Sequence, residues 1–154
     1  MYAGQSVKRV DAFDKVTGRS KYTDDLCDRG AYIARVLHST IANGRVVSID
    51  TSEAEKVPGV VKIFTCFDVP ENYYPTDGHI YHLGEHREED RLLLNRHVRL
   101  YGDDIAAVVA ETTVAADEAL KAIKVEYEEL PFYLDPREAM KEGAVQIQEK
   151  KPGN

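Results

Sequence analysis

Residues 105–128 read IAAVVAETTVAADEALKAIKVEYE, and this stretch decides the fold class. Its opening run, 105–110, is continuously apolar, which is typical of a strand buried on both faces. Over 113–122 the apolar positions follow helical spacing and predict one buried stripe, formed by Ala116, Ala119, Leu120 and Ile123. Residues 124–128 then alternate polar and apolar side chains, which predicts a half-buried strand. The stretch is therefore a strand–helix–strand unit.

A second unit of the same kind precedes it. Residues 45–50 and 60–65 are rich in β-branched side chains and predict two strands, and another strand is predicted over 32–37. Ser52 and Glu55 fit a capping box that would begin a short helix, which Pro58-Gly59 would end. Two such units favour an α/β (α+β) fold with a mixed β-sheet and helices packed on it.

Composition and charge exclude several classes of function. The chain has 154 residues, enough for one domain with a sizeable core. Its 20 Lys and Arg against 27 Asp and Glu give a net charge of -7, which disfavours nucleic acid and anionic membranes as partners. No apolar run could span a bilayer, and residues 1–5 lack the features of a secretory signal. Cys27 and Cys66 have no CxxC spacing and are expected to be reduced thiols. These features predict a cytoplasmic protein.

The regular patterns stop over residues 71–91, where tyrosines, prolines and histidines precede a charged run. A connection of this length is usually functional or mobile, and we expect it to meet something outside the domain. His79, His82 and His86 could ligate zinc through their ring nitrogens. No cysteine or clear carboxylate completes such a set, so a solvated or partner-facing loop is favoured and no metal site is predicted.

The remaining polar motifs predict no active site. Asp24-Asp25 and Asp103-Asp104 supply the residue type of two-carboxylate catalysis, which needs both groups to converge on one cleft. Adjacent acids in a turn more often accept backbone hydrogen bonds, and we favour that interpretation. A GxSxG nucleophile elbow, a phosphate-binding P-loop and a GxGxxG motif are all absent from the sequence.

Several segments, taken in their order along the chain, resemble the same family. Together they cover nearly the whole chain: 4–26, 36–46, 57–70, 98–111 and 125–131. Together they are similar to the molybdenum hydroxylases, in which Leu-Pro-Gly-Val stands where this chain has Val57-Pro58-Gly59-Val60. The segment 77–97 is most similar to bacterial xanthine dehydrogenases that keep the molybdenum domain on a separate subunit. The chain departs from many relatives at Gly102-Asp103, where they have Gly-Glu, and at 41–45, where they have an HAxAR-like block.

The resemblance implies an α/β hammerhead domain over 31–131. An extended segment, 1–30, would lead into it, and 132–154 would be a linker toward a molybdopterin-binding domain that this chain lacks. The parent enzyme would hydroxylate hypoxanthine or xanthine at molybdenum, with oxygen from water, and pass electrons through 2Fe-2S centres to FAD. The implied partners are the remainder of the molybdenum-binding subunit, the iron–sulfur and FAD subunits, and the purine substrate. The family's catalytic and cofactor-binding residues match nothing in 1–154, so the chain alone is expected to bind no cofactor and to be inactive.

The family's loop after Asp-Val-Pro approaches the substrate funnel, so the resemblance implies Gly78, His79 and Ile80 at the funnel entrance.

Two alternatives to this function stay open. The parent could hydroxylate nicotinate, an aldehyde, carbon monoxide or an aromatic thioester, because a shared fold does not select a substrate. The chain could instead be a self-contained metal- or protein-binding module using the three histidines. A structural and interface domain is further expected to expose apolar patches that the rest of the subunit covers.

Overall fold

The computed structural model describes residues 4–28, 30–75 and 89–147. The chain divides into two compact units, Met1–Ala31 and Tyr32–Asn154. The first unit holds a helix, α1 (Ala12–Val16), and a 3-10 turn, Thr23–Leu26. No residue described in it is buried. Its structure is therefore held by local bonds, such as the one that the Asp25 carboxylate accepts from the Tyr22 backbone N–H at 3.0 Å.

The second unit contains eight described strands and two helices. The strands are β1 (Ile33–His38), β2 (Gly44–Asp50), β3 (Val60–Thr65), β4 (Tyr74–Pro75), β5 (Glu89–Arg91), β6 (His97–Val98), β7 (Asp104–Ala110) and β8 (Lys124–Glu129). The helices are α2 (Thr113–Ala122) and α3 (Pro136–Ala139), and Ala54–Lys56 is a 3-10 turn. The sheets have the orders β1-β7-β3, β6-β2-β8 and β4-β5. None of the helices in the described ranges is long and apolar enough to cross a membrane.

The predicted α/β (α+β) class is confirmed, with one correction to its sheet. A single mixed sheet was expected, whereas every pairing between the described strands is antiparallel and the strands divide among three sheets. The reason lies in the connections. The unit β7–α2–β8 leaves the first sheet and enters the second, and β2 and β3 likewise lie in different sheets. A strand–helix–strand unit requires a parallel pair only when both strands join one sheet.

Helix α2 packs on the first sheet through small side chains. Ala115, Ala116 and Ala119 are buried in one cluster with Val108 and Ala110 of β7. A second cluster, formed by Ile41, Val46, Val98 and Ile105, lies against the other sheet. Strand β7 thus contributes to both clusters, as the unbroken apolar run at 105–110 predicts. Alanine at the helix contact lets the helix backbone approach the sheet closely.

One local prediction is wrong. Ser52 and Glu55 form no capping box: the Ser52 backbone N–H donates to the Asp50 carboxylate at 3.0 Å, and Thr51 Oγ1 donates to Glu55 Oε1 at 2.7 Å. The helix stays a single 3-10 turn because Pro58-Gly59 leaves no room for another turn. Helix α2 has the predicted length. Its Asp117 pairs with Arg35 of β1 at 3.3 Å, and no described ion pair joins it to Lys121 four residues on.

Thr112 caps the N-terminus of α2, because its side-chain oxygen accepts from the Ala115 backbone N–H at 3.1 Å. We expect Thr112→Ala to lower the free energy of unfolding by about 1 kcal/mol, since that N–H then lacks a protein partner. Urea unfolding followed by circular dichroism measures the change. Thr112→Ser, which keeps the oxygen, is the matched control and should retain most of the stability. Equal losses in both variants would contradict the capping role.

Candidate functional site

The two ends of the segment 76–88 are held together by a short antiparallel pair. Tyr74 of β4 lies opposite Arg91 of β5, and Pro75 lies opposite Glu89. The intervening residues include Gly78, His79, Ile80, His82 and His86, all of which lie outside the described part of the chain. Their predicted roles therefore stay predictions, and the described residues show how the base of this segment is fixed.

Asp103 anchors the β4–β5 base of this segment through Arg91. Its carboxylate pairs with the Arg91 guanidinium and accepts the backbone N–H groups of Arg99 at 2.7 Å and Leu100 at 3.3 Å. The Asp103 side chain is 2% exposed and that of Arg91 is 20% exposed. A buried charge pair is tolerated when further hydrogen bonds satisfy the carboxylate, as the two backbone donors do here. The pair ties β5 to the turn between β6 and β7.

Ser39 and Asn95 complete this polar base. Ser39 Oγ accepts from the Asp103 backbone N–H at 3.1 Å and from that of Gly102 at 3.2 Å. Both N–H groups reach one oxygen because Gly102 adopts a φ of 93°, a conformation that side-chain-bearing residues rarely adopt. Asn95 exchanges hydrogen bonds with the backbone of Leu92 at 3.1 and 3.2 Å. An open cleft of about 260 Å³ lies beside these residues, bounded also by Tyr74 and Leu100.

One acid of each pair acts as a turn acceptor, as predicted. Asp25 and Asp103 accept backbone N–H groups, and Asp104 pairs with His38 Nδ1 at 2.9 Å. Asp103 and Asp104 are therefore committed to different partners and do not converge on one cleft as a catalytic pair must. Within the described ranges, no group of three or more His, Cys, Asp or Glu could hold a metal ion.

No sequence motif singles out Ser39, Arg91 or Asn95. The Gly102-Asp103 turn was visible, but Arg91 lies 12 residues from Asp103 along the chain and Ser39 lies 64 residues from it. No local pattern links residues so far apart. The available signal was weak: Ser39 directly follows a predicted strand, and Asn95 follows three leucines.

Both cysteines are free thiols, and they differ in environment. Burial raises the pKa of the Cys66 thiol to about 11, whereas Cys27 is exposed. Alkylation of Cys66 by iodoacetamide should therefore still accelerate between pH 9 and pH 11, since the thiolate is the nucleophile. The folded thiol holds its proton more tightly than the unfolded one, so this group's contribution to stability is complete below pH 9 and declines above it. Peptide mass spectrometry gives the rate at each pH, and a plateau below pH 9 would overturn this prediction.

Comparison with known proteins is consistent with this architecture. The chain is 45% identical, over 141 residues, to the xanthine dehydrogenase molybdenum-binding subunit of Escherichia coli O157:H7, covering 90% of this chain and 19% of that protein. The aldehyde oxidoreductase from Desulfovibrio gigas superposes with a TM-score of 0.79 at 32% identity, over 94% of this chain and 16% of that one. The CO dehydrogenase from Oligotropha carboxidovorans gives 0.76 at 32% identity, over 92% and 17%.

The chain thus spans about a fifth of the curated relative and less of the solved structures. Residues 17–131 match the family described as aldehyde oxidase and xanthine dehydrogenase, a/b hammerhead domain. This match, together with two superpositions on solved molybdenum hydroxylases, confirms the predicted resemblance. The chain belongs to the aldehyde oxidase and xanthine dehydrogenase family of molybdenum hydroxylases, and it contains that family's α/β hammerhead domain.

Proposed function

We propose that this chain is the N-terminal part of a molybdenum-binding subunit of the xanthine dehydrogenase type, whose complete enzyme hydroxylates hypoxanthine or xanthine. The observation that carries the proposal is the 45% identity to the Escherichia coli subunit, against 32% to the aldehyde oxidoreductase and the CO dehydrogenase. In this proposal the oxygen comes from water. Electrons leave through 2Fe-2S centres to FAD on partner subunits, in the cytoplasm. The two free thiols are consistent with that reducing compartment.

Within such a subunit we assign 1–30 to a segment that leads into the core, 31–131 to the hammerhead core and 132–154 to a linker. A compact unit that begins at Tyr32 supports the first boundary, although the family match already begins at residue 17, and the end of that match at residue 131 supports the second. The linker would lead to the domain that binds molybdopterin.

The described residues do not fit the molybdenum cofactor. Their buried polar side chains are Ser39, Asn43, Thr65, Asn95 and Asp103, and each already bonds to groups of this chain. The one buried side-chain atom without a partner in the described part of the chain is Asn43 Oδ1, which is an acceptor. A phosphate-bearing cofactor needs clustered donors instead. We therefore assign this chain no step at the metal, and its role is structural.

One face of the first sheet supports an interface role. Val36 of β1 and Phe64 of β3 both lie opposite Ala107 of β7, on the side away from α2, and they are 38% and 39% exposed. In the next row Val109 lies opposite Ala34 of β1 and Lys62 of β3, so the apolar face continues along β1 and β7 but not along β3. We propose that the remainder of the same polypeptide covers it, because four-fifths of the matched relative's length lies outside the aligned region. Apolar sheet faces of this kind are normally buried.

Gly78, His79 and Ile80, within the segment 76–88, would line the entrance of the substrate funnel. What supports this proposal is the base described above, where the β4–β5 pair and the Arg91–Asp103 ion pair fix both ends of the loop. A fixed base gives a loop a defined position from which to meet a substrate. In the complete enzyme we expect His79→Ala to lower kcat/KM for xanthine about tenfold or more, while the molybdenum content is unchanged. Steady-state kinetics measures this, and an unchanged kcat/KM would exclude the residue from the funnel.

The proposal is tested by purifying the full-length native product with its associated subunits. We expect near-stoichiometric molybdenum, co-purifying iron–sulfur and flavin subunits, and reduction of an electron acceptor that depends on hypoxanthine or xanthine. Activity only with an aldehyde, nicotinate, carbon monoxide or an aromatic thioester would keep the family and overturn the substrate. A metal-free native product, with zinc binding in calorimetry, would favour a self-contained binding module instead.

A further inference from the structure

A row of charged side chains crosses the outer face of the second sheet. In the strand register Arg45 of β2 lies opposite His97 of β6 on one side and opposite Glu128 of β8 on the other. Directly opposed residues in an antiparallel pair point to the same face. Together with Arg96, these residues line an open cleft of about 560 Å³. The cleft therefore carries two guanidinium groups, and the Glu128 carboxylate lies on the strand next to Arg45.

Neither arginine forms an ion pair within the described ranges, although other arginines of the chain do. Arg35 pairs with Asp117, and Arg91 pairs with Asp103. Arg96 instead lies over the Phe67 ring, with its Cζ 4.9 Å from the ring centroid. In a chain of net charge -7, carboxylates outnumber cations, so two neighbouring guanidinium groups without an ion pair are an unusual feature. Stacking on Phe67 restricts Arg96 and lowers the entropy that it would lose on binding.

The surroundings of the two arginines indicate what the cleft can bind. Val47, the residue at the register shift of β2, is 54% exposed and lines the cleft. Phe67, beneath Arg96, is 44% exposed. Apolar side chains beside guanidinium groups match a protein segment that carries a carboxylate next to an apolar residue. The carboxylate of Glu128 and the net negative charge disfavour a polyanion.

We infer that this cleft docks an acidic segment of a separate protein subunit, a conclusion that rests on the proposed function above. The polar character of the cleft distinguishes it from the apolar face of Val36, Phe64, Ala107 and Val109. Interfaces between separately folded chains are enriched in arginine and aromatic side chains, as this cleft is through Arg45, Arg96 and the neighbouring Phe67. In this inference the cleft contacts a separate subunit, and the apolar face packs against the remainder of the same polypeptide.

The test compares charge-reversed and control variants of the full-length subunit in its native complex. Arg45→Glu with Arg96→Glu reverses the cleft, and Arg45→Gln with Arg96→Gln only neutralises it. Lys121→Glu with Lys124→Glu is the matched control, because it makes the same change of net charge at exposed positions outside the cleft. The dissociation constant for the partner subunits is measured at several NaCl concentrations. A photo-crosslinking residue at Val47 identifies the bound peptide by mass spectrometry, and thermal unfolding checks that each variant is folded.

We expect the reversed pair to weaken partner binding about tenfold or more, the neutral pair to weaken it less, and the control to leave it unchanged. The crosslinked peptide should contain Asp or Glu and come from a separate chain, and Arg at that acid should restore binding to the reversed pair. Binding within twofold of wild type, or a crosslink to the same polypeptide, would overturn the inference. The proposed function is judged separately, by whether the wild-type subunit carries molybdenum and co-purifies with partners at all.

Discussion

Replacing Asp103 by alanine is expected to lower the free energy of unfolding by about 3–5 kcal/mol. The Asp103 carboxylate is buried, pairs with Arg91, and accepts the backbone N–H groups of Arg99 and Leu100. Removal leaves the Arg91 guanidinium, itself 20% exposed, without its carboxylate, and two backbone donors without an acceptor. Urea unfolding followed by circular dichroism measures the loss.

Two control variants distinguish the effect of the buried Asp103 carboxylate from the effect of a more exposed carboxylate. Asp104→Ala removes the neighbouring carboxylate, which is 44% exposed and pairs with a histidine, so a change of no more than about 1 kcal/mol is expected. Asp103→Asn keeps the side-chain shape and an oxygen acceptor but loses the charge, and its effect should lie between the other two. Similar small losses for Asp103→Ala and Asp104→Ala would show that the buried pair does not hold the base of the loop.

Truncation of Ile105 is expected to cost about 2–5 kcal/mol. Its side chain is fully buried in the cluster with Ile41, Val46 and Val98, while its strand also carries Val108 in the cluster under α2. Ile105→Ala therefore opens a cavity where β7 meets the second sheet. The free energy of unfolding is measured as before. Ile105→Val should cost only about 1 kcal/mol, because it removes a single methyl group.

Val114 supplies the matched exposed position, since it is 66% exposed on α2. Val114→Ala should change the free energy of unfolding by no more than about 0.5 kcal/mol. If Ile105→Ala were as mild as Val114→Ala, the second cluster would not contribute to the core.

An element could be predicted when the residues whose interactions form it lie close together in the sequence. Helix α2 begins and ends at the predicted residues because its apolar spacing is a local signal. Strand β3 was predicted at its observed bounds, and β7 to within one residue, for the same reason. The capping box at Ser52 failed because the nearby Asp50 and Thr51 side chains offered competing local bonds.

The candidate site was predictable only in part. The turn at Asp103 and the irregular segment 71–91 were both visible in the sequence. The Arg91–Asp103 ion pair and the bonds of Ser39 were not, because these partners meet only when β5, β1 and the turn before β7 are assembled. Likewise, nothing in the sequence placed Arg45 beside Arg96, although together they line one cleft.

The sequence by itself determined the family, the α/β class and most strand and helix positions, because these depend on side-chain order and on periodicity along the chain. Only the tertiary structure decided that all described strand pairs are antiparallel, that the strand–helix–strand units link different sheets, and that Asp103 is a buried anchor. The physical reason is that register, burial and ion pairing are set by contacts between residues distant in sequence. The free energy of those contacts depends on how the sheets pack, which no local pattern specifies.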